Sequence, residues 1–263
     1  ILGISYLEHQ ARLCHSSTVA GLAASFGRGI MTNHWIDIKN ADIILVMGSN
    51  PAENHPISFK WIQKARDNGA QLIVVDPRFT RSASLADVYG SIRPGTDLAF
   101  LGGIINYALQ NDRIQKEYVI EYTNAAYLVN KDYGFKDGLF SGYDVGKRTY
   151  DRKTWTYQND EKGIPRQDKT LKDPRCVYQL MKEHYSRYTP EKVESVTGCP
   201  KETFLEIAEL FTSTHKPDRV ATILYAMGTT QHTVGTQNIR AYGIIQLLMG
   251  NIGLAGGGIN AMR

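Results

Sequence analysis

Two unbroken apolar runs, ADIILVM at 41–47 and QLIVVD at 71–76, constrain this chain more than anything else in it. Each has the length of a strand, and apolarity without alternation belongs to a strand covered on both faces. Between them, GSNPAENHP (48–56) has the composition of a loop. Residues 57–66 then place Ile57, Trp61 and Ala65 on the inner face of a helix before Asn68-Gly69 breaks the pattern. Strand, helix and strand in close succession make a βαβ unit, with parallel strands and a right-handed crossover as the default.

The remaining segments extend this unit. Residues 18–26 carry Val19, Leu22, Ala23 and Phe26 on one helical face, with Ser16 or Ser17 as N-cap and Gly27 and Gly29 as the stop. Helices are predicted at 97–109, 113–124, 176–186, 190–196, from Pro200 to about 213, and at 237–249. RVATILYAM (219–227) is a third buried strand, and 250–260 reads as a glycine-rich turn sequence. From about 127 to 175 the chain turns polar and loses periodicity. Its Tyr133, Phe135, Phe140 and Trp155 need somewhere to pack, so this is a folded surface insertion and not a linker. The predicted fold is α/β: a Rossmann-like open, mainly parallel sheet flanked by helices, with that insertion.

Composition narrows the function classes. The apolar content is 42% and the charged content 21%, ordinary for a globular protein. A net charge of +4, from Lys and Arg that are scattered and not striped, gives no nucleic-acid footprint. No apolar run approaches the ~20 residues of a membrane span. Ile1 opens the chain in mid-pattern, without a basic leader, so the chain reads as a piece of something longer. Cys14, Cys176 and Cys199 are too widely spaced for a disulfide framework or a CxxC site, so an iron–sulfur cluster or structural zinc held by this chain alone is not expected.

Three places can carry chemistry. In an open α/β sheet, ligands bind beyond the carboxyl ends of the strands, where helix N-termini offer amide protons to anions. After the first strand, Gly48 and Asn50 can take backbone conformations that leave room for a diphosphate, and Glu53, Asn54 and His55 add polar contacts; the plain alternative is a tight turn. After the second strand, Asp76-Pro77-Arg78 stands where a ribose-reading carboxylate is found, with Arg78 available to a phosphate. The GxGxxG fingerprint of nicotinamide cofactors is absent. Pro94-Gly95-Thr96-Asp97 precedes an apolar helix; Thr96 or Asp97 is an N-cap, and the Asp97 carboxylate is also suited to the imino and amino groups of guanine. Met227-Gly228-Thr229-Thr230-Gln231 follows the third strand and reaches the same edge of the sheet. Finally, Cys14-His15 lies just ahead of the 18–26 helix, where the dipole favours a thiolate, the ligand a soft metal prefers; the plain alternative is an inert buried cysteine.

Together, ARLCHSSTVAGLAASFGRGIMTNHW (11–35), VMGSNPAENHP (46–56), VVDPRFTRSASLAD (74–87), RPGTDLAFL (93–101), YAMGTTQHTVGTQNIR (225–240) and MGNIGLAGGGINAMR (249–263) resemble the molybdopterin oxidoreductase family. Within it the likeness is to the catalytic alpha subunits of respiratory formate dehydrogenases, and DYGFKDGLFSGYD (132–144) extends it through the insertion. The resemblance implies a molybdenum or tungsten bis(molybdopterin guanine dinucleotide) cofactor. It places Cys14 at the metal-ligand position, held by selenocysteine in many relatives, His15 at the adjacent catalytic histidine and Arg263 at the active-site arginine. It assigns Gly48, Ser49, Asn50, Pro51, Ala52, Glu53, Asn54, His55, Asp76, Pro77, Arg78, Phe79, Thr80, Gly95, Thr96, Asp97, Met227, Gly228 and Gln231 to one guanine dinucleotide arm, with Gln10 at a further contact position. It further implies oxidation of formate to CO2, with Arg263 pairing with the carboxylate and His15 accepting or relaying the proton.

The resemblance also sets limits. A full alpha subunit adds an N-terminal [4Fe–4S] domain and a C-terminal cofactor domain, neither present here, so 1–263 is expected to be the central cofactor-binding domain, inactive alone. Expected partners are the rest of the alpha subunit, an iron–sulfur beta subunit and a membrane cytochrome b gamma subunit. The expected location is the periplasm, membrane-associated through those partners, with a cytoplasmic place as the alternative. Another molybdenum oxidoreductase of the nitrate reductase type, or a non-catalytic cofactor-binding fragment, are the competing readings.

Overall fold

The computed structural model describes residues 3–262. In chain order, helix α1 (Gln10–Phe26) is followed by a 3-10 segment at Trp35–Asn40, β1 (Ile43–Met47), α2 (Pro51–Asn54), α3 (Pro56–Asp67), β2 (Gln71–Val75), β3 (Val88–Gly90) and α4 (Asp97–Gln110). Next come α5 (Lys116–Tyr122), the short strands β4 (Phe135–Lys136), β5 (Leu139–Phe140), β6 (Tyr143–Asp144) and β7 (Thr149–Tyr150), and α6 (Val177–Tyr185). The chain continues with α7 (Pro190–Thr197), α8 (Lys201–Thr212), β8 (Ala221–Tyr225), α9 (Met227–Thr230), α10 (Gly235–Met249) and β9 (Gly258–Ala261). Two compact units result: one from the segment through Gln115 together with that from Arg187 onward, the other Lys116–Ser186.

The first unit holds a five-stranded sheet in the order β3-β2-β1-β8-β9, every pair parallel. Ile43 lies opposite Gln71 on one side and Ala221 on the other, and Met47 opposite Val75 and Tyr225. The predicted apolar runs are central strands: all five residues of β1 and of β8 are buried. Because side chains alternate across a strand, Ile44 and Val46 enter one core layer with Ile38, Ile62, Leu72, Val74 and Leu224. Helices α4, α8 and α10 bring Phe100, Ile104, Phe204 and Ile245 into the buried set as well, and the Phe100 and Phe204 rings meet edge to face at 5.4 Å. Each such side chain contributes roughly 1.5–3 kcal/mol by burial.

Several elements depart from the sequence expectation. Helix α3 buries Ser58, Ile62 and Ala65 and leaves Ile57 77% exposed, so its inner face is rotated from the expected Ile57-Trp61-Ala65 stripe, and α2 forms inside the expected 48–56 loop. The first helix begins at Gln10 and not near Ser16; His9 caps it through its ring, and the backbone breaks from helix geometry at His15 (φ −132°, ψ 26°). Its predicted stop holds, with Gly27 in the left-handed region and its N–H donated to the Ala23 carbonyl. The glycine-rich tail is not all turn, because Gly258–Ala261 forms the edge strand β9 beside β8. A Cβ at Gly258 would stand 2.1 Å from Asn33 Oδ1, so the glycine that hides the strand from a propensity reading is required by the loop crossing it. The Thr32 hydroxyl accepts from Ile259 N at 2.9 Å, fastening that loop to the edge. Strand β3 is three residues long, too short for any periodicity.

The second unit extends beyond the compositional break on both sides. It contains two antiparallel hairpins, β4 with β5 and β6 with β7. The Phe140 ring gathers Tyr133, Phe135, Tyr150 and Trp155, and the Trp155 indole N–H donates to the Ser141 carbonyl at 3.0 Å. Among the described residues, no helix is long and apolar enough to cross a membrane.

Candidate active site

Strand order reverses between β1 and β8, so the turns leaving these two strands face one crevice. They are also locked together. Gly48 has φ 60°, and its carbonyl accepts from Gly228 N at 3.1 Å, while the Thr229 hydroxyl donates to the Met47 carbonyl at 3.1 Å. A Cβ on Gly48 would lie 2.5 Å from Thr229 Oγ1, and one on Gly228 would lie 2.6 Å from the Gly48 oxygen. The positive φ and missing side chain at Gly48 therefore serve the contact between two chain segments directly. Asn50 does not adopt a special backbone state (φ −126°). Its side-chain oxygen instead accepts from Ser82 N at 3.2 Å and Ser82 Oγ at 2.9 Å, and its amide donates to the Glu53 carboxylate. Ser82 Oγ also accepts from Ala52 N at 3.0 Å, so the 80–84 turn is pinned to α2.

Ser49, Asn50 and Pro51 are buried in this turn, whereas Ala52, Glu53 and Asn54 rise toward the surface. His55 ends α2 and stacks on Trp35 with centroids 6.4 Å apart. Its Nδ1 is buried with no partner, and burial pushes the ring pKa down, so the ring stays neutral.

At the end of β2, the Asp76 carboxyl is pushed up by burial, against the backbone N–H of Arg78, which donates to it at 2.9 Å. Pro77 and Arg78 follow in the exposed turn. Phe79 is 65% exposed and meets the Tyr89 ring edge-on at 5.1 Å. Thr80 turns inward and its hydroxyl accepts from Ala83 N.

Gly95, at φ 82°, stands in open space. Thr96 occupies the N-cap position of α4 but does not cap it; its hydroxyl donates to the Arg93 carbonyl at 2.6 Å. Asp97 is therefore not explained as a cap partner. Its carboxyl is buried and its pKa is raised by that burial. His232 Nε2 lies 3.7 Å from it and itself donates to the Gly228 carbonyl at 2.7 Å. His232 was not among the sequence candidates, although it lies one residue beyond the GTTQ stretch that was.

The break in α1 sets Cys14 and His15 against this same edge. The carbonyls of Leu13 and Cys14 accept from Gln231 Nε2 at 3.1 Å and Thr230 Oγ1 at 2.6 Å, and Ser17 Oγ donates back to the Thr230 carbonyl at 2.7 Å. Cys14 thus lies inside a helix, at its kink, and not ahead of an N-terminus as expected; the helical run that resumes after His15 begins close to the predicted cap. His15 is 4% exposed and reaches the Met262 carbonyl through Nε2 at 3.0 Å. A cavity of about 1080 Å³ opens beside it, lined by His9, Arg12, His15, Thr18, His34 and Trp35 among others.

The structure therefore brings Cys14, His15, Met227, Gly228 and Gln231 together, joins Gly48 to them through Gly228, and joins Asp97 through His232. Gln10 remains at the exposed start of α1, and Arg263 lies outside the described residues. Among the described residues no group of three or more His, Cys, Asp or Glu is placed to hold a metal. Burial raises the other two thiols, Cys199 to about 11, which suits inert core positions.

The molybdopterin oxidoreductase family model matches residues 2–263. The chain is 56% identical over its whole length to formate dehydrogenase subunit alpha of Megalodesulfovibrio gigas and 57% identical to the nitrate-inducible formate dehydrogenase major subunit of Escherichia coli (strain K12). It spans about a quarter (26%) of the length of each. Acetylene hydratase from Pelobacter acetylenicus shares the fold, with a TM-score of 0.65 at 23% identity over 95% of this chain and 26% of that one. The chain belongs to the molybdopterin oxidoreductase family, whose members work with a molybdenum–molybdopterin cofactor.

Proposed function

We propose that this chain is part of the catalytic subunit of a formate dehydrogenase, oxidising formate to CO2 at a molybdenum or tungsten centre carried by bis(molybdopterin guanine dinucleotide). The observation that carries the reading is the Cys14–His15 kink, held against the switch edge of the sheet by Thr230, Gln231 and Met262. The identity to formate dehydrogenase subunits, 54–57% over the whole chain, supports it.

The residues present fit the group. A thiol with no other clustered ligands suits a metal whose remaining sulfur donors come from the pterin. The unpartnered His55 Nδ1 awaits a polar partner of the kind a nucleotide brings, and the buried Asp97 carboxyl has acceptor capacity suited to guanine N–H groups. Gly48 to His55, Asp76 to Thr80, Gly95 to Asp97, and Met227, Gly228 and Gln231 would line one dinucleotide arm; Gln10 is a further contact. Cys14 would ligate the metal. When bound, the metal–pterin group supplies a soft acceptor for two electrons. Arg263 would pair bidentately with formate and orient its C–H bond, and His15 would accept or relay the released proton. The flanking segments would supply a [4Fe–4S] cluster and the rest of the cofactor site. Iron–sulfur beta and cytochrome b gamma subunits would take the electrons at the periplasmic membrane face.

The test uses the full-length protein with its native flanking segments. It should contain molybdenum or tungsten, release guanine nucleotide on acid hydrolysis and reduce a dye with formate. Replacing Arg263 by Lys should abolish most turnover, and near-normal kinetics would remove it from the site. Metal-replete protein that leaves formate untouched sinks the activity, and robust formate oxidation by residues 1–263 alone would overturn the expectation that the flanking segments are needed.

A further inference from the structure

We propose that Thr18 and Tyr225 are positioning residues that fix His15 as its Nε2–H tautomer and hold its ring plane at the cleft. His15 Nε2 lies 3.0 Å from the Met262 carbonyl, and a carbonyl only accepts, so in the neutral ring the proton sits on Nε2. Nδ1 is then an acceptor. It lies 3.1 Å from Thr18 Oγ1, which must donate to it. The Thr18 oxygen, having spent its proton, accepts from the Tyr225 hydroxyl at 2.9 Å. Polarity therefore runs one way, from Tyr225 through Thr18 to Nδ1 and out through Nε2 to Met262. Thr18 is 1% exposed and Tyr225 fully buried, so water does not compete at either hydroxyl. The Tyr225 and His15 rings also meet edge to face at 6.1 Å, a second restraint on the imidazole. Burial keeps the Tyr225 hydroxyl protonated and therefore a donor.

The consequence for turnover rests on the formate reading; the tautomer does not. Whatever proton work His15 does, its ring is presented in one orientation, set by a buried strand residue and a buried helix residue. This is the arrangement by which buried partners orient catalytic and metal-site histidines elsewhere.

Neutron diffraction on deuterium-exchanged full-length enzyme reads the network directly. Deuterium on His15 Nε2, with the Thr18 hydroxyl aimed at Nδ1 and the Tyr225 hydroxyl aimed at Thr18, is expected. Deuterium on Nδ1 with Nε2 bare, or a Thr18 hydroxyl aimed elsewhere, overturns the proposal. Kinetics supply the second arm. Thr18→Val, which keeps the shape and loses the hydroxyl, should lower kcat by about 10-fold or more with KM for formate little changed. Thr18→Ser should restore most of the rate, and Tyr225→Phe should fall between. If Thr18→Val and Thr18→Ser are equally active with metal contents like the parent, the dyad does not position His15. If even the parent fails to oxidise formate, the activity assignment falls while the neutron result still decides the tautomer.

Discussion

The two ends of the candidate cleft are built by opposite means. At the α1–α9 end, Thr230, Gln231, Ser17 and Met262 close hydrogen bonds around Cys14 and His15, and Gly48 and Gly228 meet with no room for a methyl group. Along the arm made by Asp76–Thr80 and Gly95–Asp97, Phe79 stands in solvent, Gly95 has open space around it, and burial raises the pKa of two carboxyls in spite of Arg78 near Asp76 and His232 near Asp97. One end is knit together by hydrogen bonds between separate chain segments. The other is open, with two carboxyls whose charged forms burial disfavours. Chemistry demands placement to fractions of an ångström and is best held by the protein itself. A nucleotide handle needs only affinity, and can bring half of its own hydrogen bonds.

The sharpest way to break this comparison is to add one methyl group at each end. Gly48→Ala pays for a left-handed backbone and for a Cβ 2.5 Å from Thr229, and should destabilise the protein by about 3 kcal/mol. Gly95→Ala has the same backbone sign but meets nothing within 4 Å, and should cost only about 1 kcal/mol. Thermal unfolding of the two variants side by side checks this. Equal losses would mean that packing at the switch is not what requires Gly48.

Asp97→Asn probes the open arm in both directions. With cofactor available, losing an ionised acceptor for guanine N–H groups should weaken retention of the nucleotide by about 10–100-fold, read as guanine released per metal. In cofactor-free protein the same change should stabilise by about 1 kcal/mol at neutral pH, because a buried charge has been removed. The pH dependence follows from the raised pKa of Asp97. A carboxyl whose folded pKa lies above its unfolded value takes up a proton in the folded state first as pH falls. The folded wild type therefore gains relative stability through the window from its raised pKa down to the ordinary carboxylate range, and the advantage of Asn shrinks across that window. An advantage that is flat with pH would show that the charge on Asp97 is not what the fold resists.

How much of this was legible beforehand follows from where the apolar side chains sit. Strands β1, β2 and β8 announced themselves because burial on both faces leaves their runs almost wholly apolar, with Thr222 the buried exception in β8. The first half of α1 was silent: Leu13 is 69% exposed, so no core-facing stripe marks that turn of helix. Strand β9 was hidden by glycines that Asn33, Val220 and Asn251 require by their closeness. The nucleotide arm could be placed because its motifs end strands. The positioning side chains could not, because Thr18 and Tyr225 sit inside runs that read as packing, and Ser82 and His232 have no spacing signature at all. Cys14-His15 stood out as a thiol ahead of a helix and took its roles from family likeness, and only the fold reveals the kink that presents the pair.

The smallest expected effect lies at Phe79. Its ring leans edge-on against Tyr89 but remains 65% exposed, so it buries little on folding, and Phe79→Ala should change stability by no more than about 0.5 kcal/mol. An exposed aromatic ring beside a buried carboxyl is nonetheless a surface on which a flat, polar-edged ligand can lie. If the arm is built for a nucleotide, the substitution should leave the melting temperature of cofactor-free protein where it was and lower that of the loaded protein, the gap between the two narrowing. Equal small shifts in both states would make Phe79 an ordinary surface residue, and would confine the ligand-dependent part of the arm to Asp76 and Asp97.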